Sequence, residues 1–216
     1  MPGLDRVRLG SVEAQEITPA LASAIASVER VARHVHVPLE SGSDRVLAAM
    51  RRRTTRAGYA EAVRRVTGVL PDCGLGADVM VGFPGETDED FEETVALVRA
   101  LPFSYLHVFA YSPRPGTAAA GMPDSVPPAV KRARSRVLRD IGRRASLAFR
   151  RRLVGSTAAV LAEGPGAGKG TLTGLSSNYV RVEFPGPPEL AGRMVAVRID
   201  DADERGTRGT ALAEDP

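Results

Sequence analysis

The feature that most limits the fold of this chain is a regular alternation of strand and helix patterns between residues 7 and 110. Short apolar segments typical of strands occur at 7–12, 33–40, 77–81 and 105–110, and helical patterns lie between them. This spacing is typical of right-handed crossover units, in which consecutive strands are parallel. The first half of the chain is therefore predicted to be α/β, with a parallel sheet.

The predicted helix starts follow from side chains that can accept a hydrogen bond from the first turn of a helix. The residues in these positions are Thr18, Ser43, Thr55 and Thr87. Thr87 also has Asp90 three residues later, which approximates a capping box. The helix from Thr55 should place Tyr59, Val63, Val66 and Leu70 on one apolar stripe.

The pattern changes in the second half of the chain. Residues 125–151 suit one long basic helix, with Pro127 and Pro128 in its first turn. The apolar period then drops to two, and short strand patterns are separated by "GPGAGKG", "PGPPELAG" and "DADERGTRG". We therefore predict a small antiparallel β-barrel at 152–216, joined by the basic helix to an α/β domain at 1–124.

Composition limits the cellular context. Of the 216 residues 43% are hydrophobic, which suits a globular core, and no apolar run approaches the roughly 20 residues that a membrane-spanning helix needs. The single cysteine, Cys73, excludes an internal disulfide and any cysteine-based metal cage, and it suits a reducing compartment. These features predict a cytoplasmic protein without a membrane partner. The net charge of +3 permits a polyanionic partner without demanding one.

Unusual loops follow the predicted parallel strands, at the sheet edge where α/β proteins place their chemistry. They read "PLESGSD", "GFPGETDED" and "YSPRPGT". Gly82 and Gly85 allow close approach of backbone to a ligand, and the carboxylates of Glu40 and Glu86 can face a shared pocket. Ser41, Tyr111 and Arg114 lie in the same loops. The alternative is a well-formed turn with solvated charges at its rim.

Two further patterns resemble functional motifs without meeting their requirements. His34 and His36 share one strand face, but two histidines without a third ligand favour packed or hydrogen-bonded residues, so we predict no metal site. "GPGAGKGT" at 164–171 resembles a phosphate-binding loop, yet Glu163 occupies the position of its first glycine and no helix follows. We predict a hairpin loop there.

The basic helix is the strongest sign of a nucleic-acid partner. Its positive residues are Lys131, Arg132, Arg134, Arg136, Arg139, Arg143, Arg144, Arg150, Arg151 and Arg152. It leads into a barrel strand with Asn178, Tyr179 and Arg181, which suits an RNA-binding barrel with an aromatic stacking platform. A solvated helix face is the alternative interpretation.

Four ordered segments of the chain resemble the radical SAM methylthiotransferases. They are "HVHVPLESGSDRVLAAMRRR", "DVMVGFPGETDEDFEETV", "HVFAYSPRPGTAAAGMPDSVP" and "GLSSNYVRVEFPG". The resemblance implies a partial parallel (β/α) radical SAM barrel, followed by a small TRAM domain related to OB-like barrels. It also implies S-adenosylmethionine and 4Fe-4S clusters as cofactors, although the cluster-binding CxxxCxxC loop has no counterpart in this chain.

The resemblance assigns residues to a cofactor pocket, and the basic helix with the barrel strand assigns residues to an RNA-binding surface. The cofactor pocket would involve Glu40, Ser41, Gly42, Gly82 and Glu86, with Glu40 replacing an expected glutamine. The predicted RNA contacts are Arg114, Arg143, Arg144, Arg150, Arg151, Arg152, Asn178, Tyr179 and Arg181. No catalytic residue is assigned.

The expected function is that of a C-terminal portion of a tRNA methylthiotransferase. "HVFAYSPRPGT" and "SSNYVRV" are most similar to the branch that methylthiolates C2 of N6-threonylcarbamoyladenosine at position 37 of tRNA, so the expected partner is the tRNA anticodon loop. Without cluster ligands the chain is expected to be inactive alone and to need a missing N-terminal half. The alternative is a non-catalytic tRNA-binding protein.

Overall fold

The first half of the protein is built around a three-stranded parallel sheet. The computed structural model describes residues 3–123 and 126–212. The sheet has the order β1-β2-β3, with β1 at His34–His36, β2 at Gly74–Val81 and β3 at Tyr105–Ala110. Both strand pairs are parallel, as the sequence predicts for an α/β domain.

Five α-helices accompany the strands, and most begin at the predicted residues. Their bounds are Pro19–Ser27 (α1), Asp44–Ala49 (α2), Arg56–Val69 (α3), Asp88–Ala100 (α4) and Pro128–Arg152 (α5), with short 3-10 turns at Ala14–Glu16, Ala118–Gly121 and Pro188–Leu190. Thr18, Thr55 and Thr87 each accept a capping hydrogen bond from a backbone N–H of the first turn. Ser43 precedes α2 but its side chain accepts no capping bond, and its hydroxyl donates to Asp90. Among the described helices, none is long and apolar enough to cross a bilayer.

The strand predicted at 7–12 is not continuous. Val7 bridges Val31 and Ser11 bridges His36, both in parallel orientation. The two bridges are one residue out of register with each other, so no regular ladder can connect them. The segment therefore follows the edge of β1 without forming a strand.

The two faces of the sheet differ in character. One face carries Val35, Leu75, Val79 and Val108 and packs against helices α3 and α4 in the main hydrophobic core. The predicted stripe of α3 lies in this core, since Tyr59, Val63, Val66 and Leu70 are all buried. Because side chains alternate along a strand, the opposite face carries the polar residues. These are His34, His36, Asp78, Tyr105 and His107.

The second half is a closed five-stranded barrel. Its strands are Thr157–Pro165 (β4), Thr171–Ser176 (β5), Arg181–Pro185 (β6), Met194–Ala202 (β7) and Thr207–Ala211 (β8), in the order β4-β5-β6-β8-β7. Val160, Val182, Phe184 and Val197 fill its core. Phe149 of α5 also lies in this core, so the long helix is part of the barrel's packing.

Strand β8 lies in a segment for which the sequence predicted only a connecting turn. Its inward positions are Thr207 and Gly209, which are buried although neither is a large apolar residue. The strand is specified by its pairing with β7 and β6, not by an apolar alternation of its own. A pattern search based on hydrophobicity therefore misses it.

Direct hydrogen bonds join the barrel to the sheet domain. The Arg6 guanidinium donates to the carbonyls of Ala159 and Leu175, at 2.7 and 3.1 Å. Arg8 donates to the Ser176 carbonyl at 3.0 Å. Gly74 lies so close to the Asn178 carbonyl that any added side chain would overlap it. The two domains thus meet along the polar face of the sheet.

Candidate functional site

The turn after β2 is shaped by its glycines and by the start of α4. Gly82 and Gly85 have φ values of 73° and 80°, in the region that favours glycine. Thr87 and Asp90 form the predicted capping box. Burial disfavours the charged form of Asp90, but hydrogen bonds from Arg45, Ser43 and Thr87 prevail and hold the pKa of Asp90 well below its usual range.

Glu86 makes its contacts inside the protein. Its side chain is only 1% exposed. Its Oε2 accepts from the Gly82 N–H at 2.6 Å and from Arg134 Nη1 at 2.5 Å. Burial raises the pKa of Glu86 above its ordinary value, although the Gly82 N–H and the Arg134 charge oppose the shift. Glu86 therefore fastens helix α5 to the turn after β2.

The other residues assigned to the cofactor pocket lie nearby. Ser41 is fully buried beside Thr94, and a side chain at Gly42 would come within 2.5 Å of the Thr94 Cα. Glu40 has a φ of 64° and is partly accessible, and burial is the main reason why its pKa is raised. The remaining acceptor of Glu86, Oε1, is buried and has no hydrogen-bond partner among the residues that the structure describes, so a ligand could reach it only after rearrangement.

These contacts do not form a ready S-adenosylmethionine pocket. Ser41 and Glu86 are buried, and Gly42 packs against α4. The cofactor assignment thus stays a prediction, and we derive no step through this cofactor. An iron-sulfur cluster does not fit this chain's own residues either, because Cys73 is its only cysteine and lies in the main core. Burial raises the pKa of the Cys73 thiol to about 12.

A cleft of about 710 Å³ lies between β3, helix α5 and the barrel. Tyr105, Tyr179 and His107 contribute aromatic rings to its lining, and Arg150 and Arg181 contribute positive charge. Arg205 and Arg208 line it as well, together with the acids Glu183 and Glu204. The structure thus brings together three of the predicted RNA contacts, namely Arg150, Tyr179 and Arg181. Aromatic rings beside arginines are groups that can stack on bases and pair with phosphates.

Tyr179 also belongs to the junction between the domains. Its ring lies 4.5 Å from that of His34 and 5.4 Å from that of Tyr105, between centroids. The Arg8 guanidinium lies 4.8 Å from its centroid. The residue is still 39% exposed. The neighbouring Asn178 is buried, where its Oδ1 accepts from Ser176 and its amide donates to the Asp72 carbonyl. Base stacking on Tyr179 stays a prediction, and Asn178 has a structural contact.

The arginines of α5 divide into anchored and exposed groups. Arg134 is buried against Glu86, and Arg150 donates to the Gly206 carbonyl at 2.7 Å. Arg151 likewise donates to the barrel, at the Ala202 carbonyl, and Arg152 lies over the Phe149 ring. Outside the cleft, Arg114 is exposed in the loop after β3.

The remaining arginines form a solvent-facing stripe. Arg132, Arg136, Arg139 and Arg143 are exposed at spacings of four, three and four residues, so they share one helix face. Of these, Arg139 is also anchored, since it donates to the Val108 carbonyl of β3 at 3.1 Å. Asp140 pairs with Arg143 and with Arg144, which is also exposed. Phosphate contacts are therefore best sought on this stripe.

The sequence prediction missed the residues that accompany the two strand histidines. Asp78 and His107 lie on the same sheet face as His36, and the Asp78 carboxylate contacts both imidazoles. His34 and His36 each hydrogen-bond the Tyr105 hydroxyl, as expected for hydrogen-bonded strand residues. Alternation along the predicted strands at 77–81 and 105–110 was the signal that could have placed Asp78 and His107 on that face. Strands β4 and β5 are joined by a hairpin loop at 166–170, within the 164–171 segment for which a hairpin loop was predicted.

Comparison with known proteins bears on all of these surfaces. Residues 11–98 match the model of the radical SAM superfamily. The chain is 39% identical over 216 residues to the tRNA-2-methylthio-N(6)-dimethylallyladenosine synthase of Nitrosospira multiformis, covering 100% of this chain and 46% of that protein. It is 41% identical over 212 residues to the protein of that name from Methylococcus capsulatus, covering 97% of this chain and 46% of that protein. The chain spans about half the length of the curated relatives it matches. With four predicted family segments and a likeness that runs along the whole chain, this protein belongs to the radical SAM methylthiotransferase family.

Proposed function

We propose that this chain functions in the methylthiolation of an N6-modified adenosine in tRNA. The observation that supports this most is the likeness of 38–41% identity, over nearly the whole chain, to proteins named for making a 2-methylthio adenosine derivative of tRNA. Since the chain's own residues do not fit an iron-sulfur cluster, its contribution is to hold and position the RNA. A tRNA substrate is consistent with the proposed cytoplasmic location.

The RNA would lie along α5 and enter the cleft between sheet and barrel. Arg132, Arg136 and Arg143 of the stripe supply phosphate contacts, and the exposed part of Tyr179 supplies a ring at the cleft. Phosphate contacts position a nucleic acid without reading its sequence. We propose the anticodon loop as the bound part, because its unpaired bases can reach a stacking ring.

The substrate branch is the finer part of the proposal. The segments "HVFAYSPRPGT" and "SSNYVRV" favour N6-threonylcarbamoyladenosine at position 37. The relatives above are instead named for a dimethylallyladenosine product. Deleting the gene that encodes this chain and measuring tRNA nucleosides by mass spectrometry separates these branches. Loss of the methylthio group from the threonylcarbamoyl nucleoside supports our proposal, and loss from the dimethylallyl nucleoside assigns the other branch.

The second candidate is a non-catalytic tRNA-binding protein. Two observations favour it: the single cysteine is buried in the core, and α5 carries an exposed arginine stripe. In that case both methylthiolated nucleosides persist in the deletion strain while the purified chain still binds tRNA. Persistence of both nucleosides without any tRNA binding contradicts both candidates.

Binding itself is tested with the full chain and a matched pair of variants. Replacing Arg132 and Arg136 by glutamine should weaken tRNA binding and lower the slope of log K against log salt by about 0.7 to 0.9 for each lost phosphate contact. Arg53 and Arg64 are exposed outside α5, so the same double replacement there should leave the slope unchanged. Equal effects of the two pairs would indicate only a net-charge effect.

A further inference from the structure

Three side chains with metal-binding atoms converge on the polar face of the sheet. His36 lies on β1, Asp78 on β2 and His107 on β3. The parallel register pairs Asp78 directly with His107, and His36 with Gly76, two residues before Asp78. One ligand atom from each of the three residues lies within 4.8 Å of the other two. The sheet thus assembles a group that is dispersed in the sequence.

The separations suit a transition-metal ion. His36 Nε2 lies 3.2 Å from Asp78 Oδ2, and His107 Nδ1 lies 3.1 Å from Asp78 Oδ1. Zinc bonds to nitrogen of about 2.0 to 2.1 Å in a tetrahedral site place neighbouring ligand atoms about 3.3 Å apart. Two imidazoles and a carboxylate could therefore bind one ion with small side-chain movements.

A second layer of contacts orients the least mobile ligand. The Tyr105 hydroxyl lies 3.0 Å from His36 Nδ1 and 2.9 Å from His34 Nε2. His36 therefore has one ring nitrogen engaged by Tyr105 while the other faces Asp78. Metal-binding histidines commonly have their second nitrogen fixed by such a partner.

Charge and access also suit a cation. Within residues 3–123 and 126–212, the Asp78 carboxylate pairs with the two imidazoles and with no arginine or lysine. With both imidazoles neutral, the group carries one negative charge. The His107 side chain is 54% exposed, so an ion can enter from solvent and keep a water molecule as a further ligand.

We propose that His36, Asp78 and His107 form a binding site for a divalent first-row transition-metal ion such as Zn²⁺ or Co²⁺. Two imidazole nitrogens with one carboxylate form a donor set that binds such ions in preference to magnesium or calcium. The site does not depend on the proposed tRNA function. It also goes beyond the sequence prediction, which considered only the two histidines of one strand.

The test is titration of the untagged 216-residue chain with Co²⁺, followed by visible absorption, with Zn²⁺ as competitor. We expect one ion per chain, and we expect His107→Ala and Asp78→Asn each to weaken binding roughly tenfold or more. The chain has only three histidines, so His34→Gln removes the one outside the proposed ligand set, and it should weaken cobalt binding less than either ligand variant because it acts only through Tyr105.

Three results would overturn the proposal. They are no saturable cobalt spectrum, binding that survives both ligand variants, and an equal loss in His34→Gln. His107 is exposed, and within the described part of the chain its side chain hydrogen-bonds only Asp78, so His107→Ala should fold normally, which a thermal melt monitored by circular dichroism verifies. If Asp78→Asn loses cobalt binding but also melts at a lower temperature, only His107→Ala tests the site. Unchanged cobalt binding by a folded His107→Ala variant then overturns the proposal.

Discussion

Removing the Arg134 side chain should be one of the most destabilising single changes in the α/β domain. Arg134 Nη1 donates to Glu86 Oε2 at 2.5 Å, and Nη2 donates to Asp88 Oδ1 at 2.7 Å. The side chains of Arg134 and Glu86 are 7% and 1% exposed. Arg134→Ala leaves the Glu86 carboxylate buried without its cation, which costs about 3 to 5 kcal/mol at pH 8.

The cost should depend on pH in a defined direction. Burial already raises the pKa of Glu86, and losing the Arg134 charge raises that pKa further. Above the unfolded pKa of about 4.3, folded Glu86 holds a proton that the unfolded chain has released. Stability therefore falls by up to about 1.4 kcal/mol per pH unit until the folded pKa is passed. The stability that comes from holding the proton on folded Glu86 is fully present below the unfolded pKa and is lost as the pH rises. The Arg134→Ala variant should therefore be less destabilised at pH 5 than at pH 8.

Urea unfolding followed by circular dichroism at pH 5 and pH 8 measures both effects. Arg136→Ala is the matched control, because Arg136 lies two residues further along α5 and is exposed. The control should change stability by no more than about 0.5 kcal/mol at either pH. An Arg134→Ala cost below about 1 kcal/mol at pH 8, or an equal cost at both pH values, would refute a buried charge pair as the link between α5 and the turn.

Two further predictions concern the region around β2. Gly74→Ala places a methyl group against the Asn178 carbonyl, so it should cost about 1 to 3 kcal/mol and speed amide exchange at the junction of barrel and sheet; a melting temperature equal to that of the native chain would contradict the packing described. Burial raises the pKa of Cys73 to about 12, so the native thiol should react slowly with a disulfide reagent at pH 8 and rapidly in urea, and rapid reaction in the native state would show that the thiol is accessible.

Local features were predicted well because they depend on neighbours in the sequence. Thr18, Thr55 and Thr87 cap their helices as predicted, since a cap needs only a side-chain oxygen and the following turn. Strand β3 has the predicted bounds of 105–110. Strand β8 was missed because its inward residues are small and its pairing partners are distant in sequence.

The candidate sites were less predictable because they depend on burial. Glu86 was assigned to a pocket on its place at a strand end, yet the structure buries its carboxylate under α5. Asp78 and His107 were not singled out at all, since a lone polar residue in a strand has no local sign of its partners. Neighbouring strands in a parallel sheet are tens of residues apart in sequence, so only their register brings such side chains together.

The sequence by itself determined the α/β alternation, the small barrel after a basic helix, and the family. These are repeated or extended patterns, and many residues contribute to each of them. Only the tertiary structure decided which arginine of that helix is buried and which are free to meet a phosphate. Arg134 and Arg136 belong to the same basic run, but α5 turns Arg134 towards Glu86 and leaves Arg136 in solvent. Helical periodicity relates the faces of a helix to one another, whereas the face that is buried depends on a carboxylate 48 residues away.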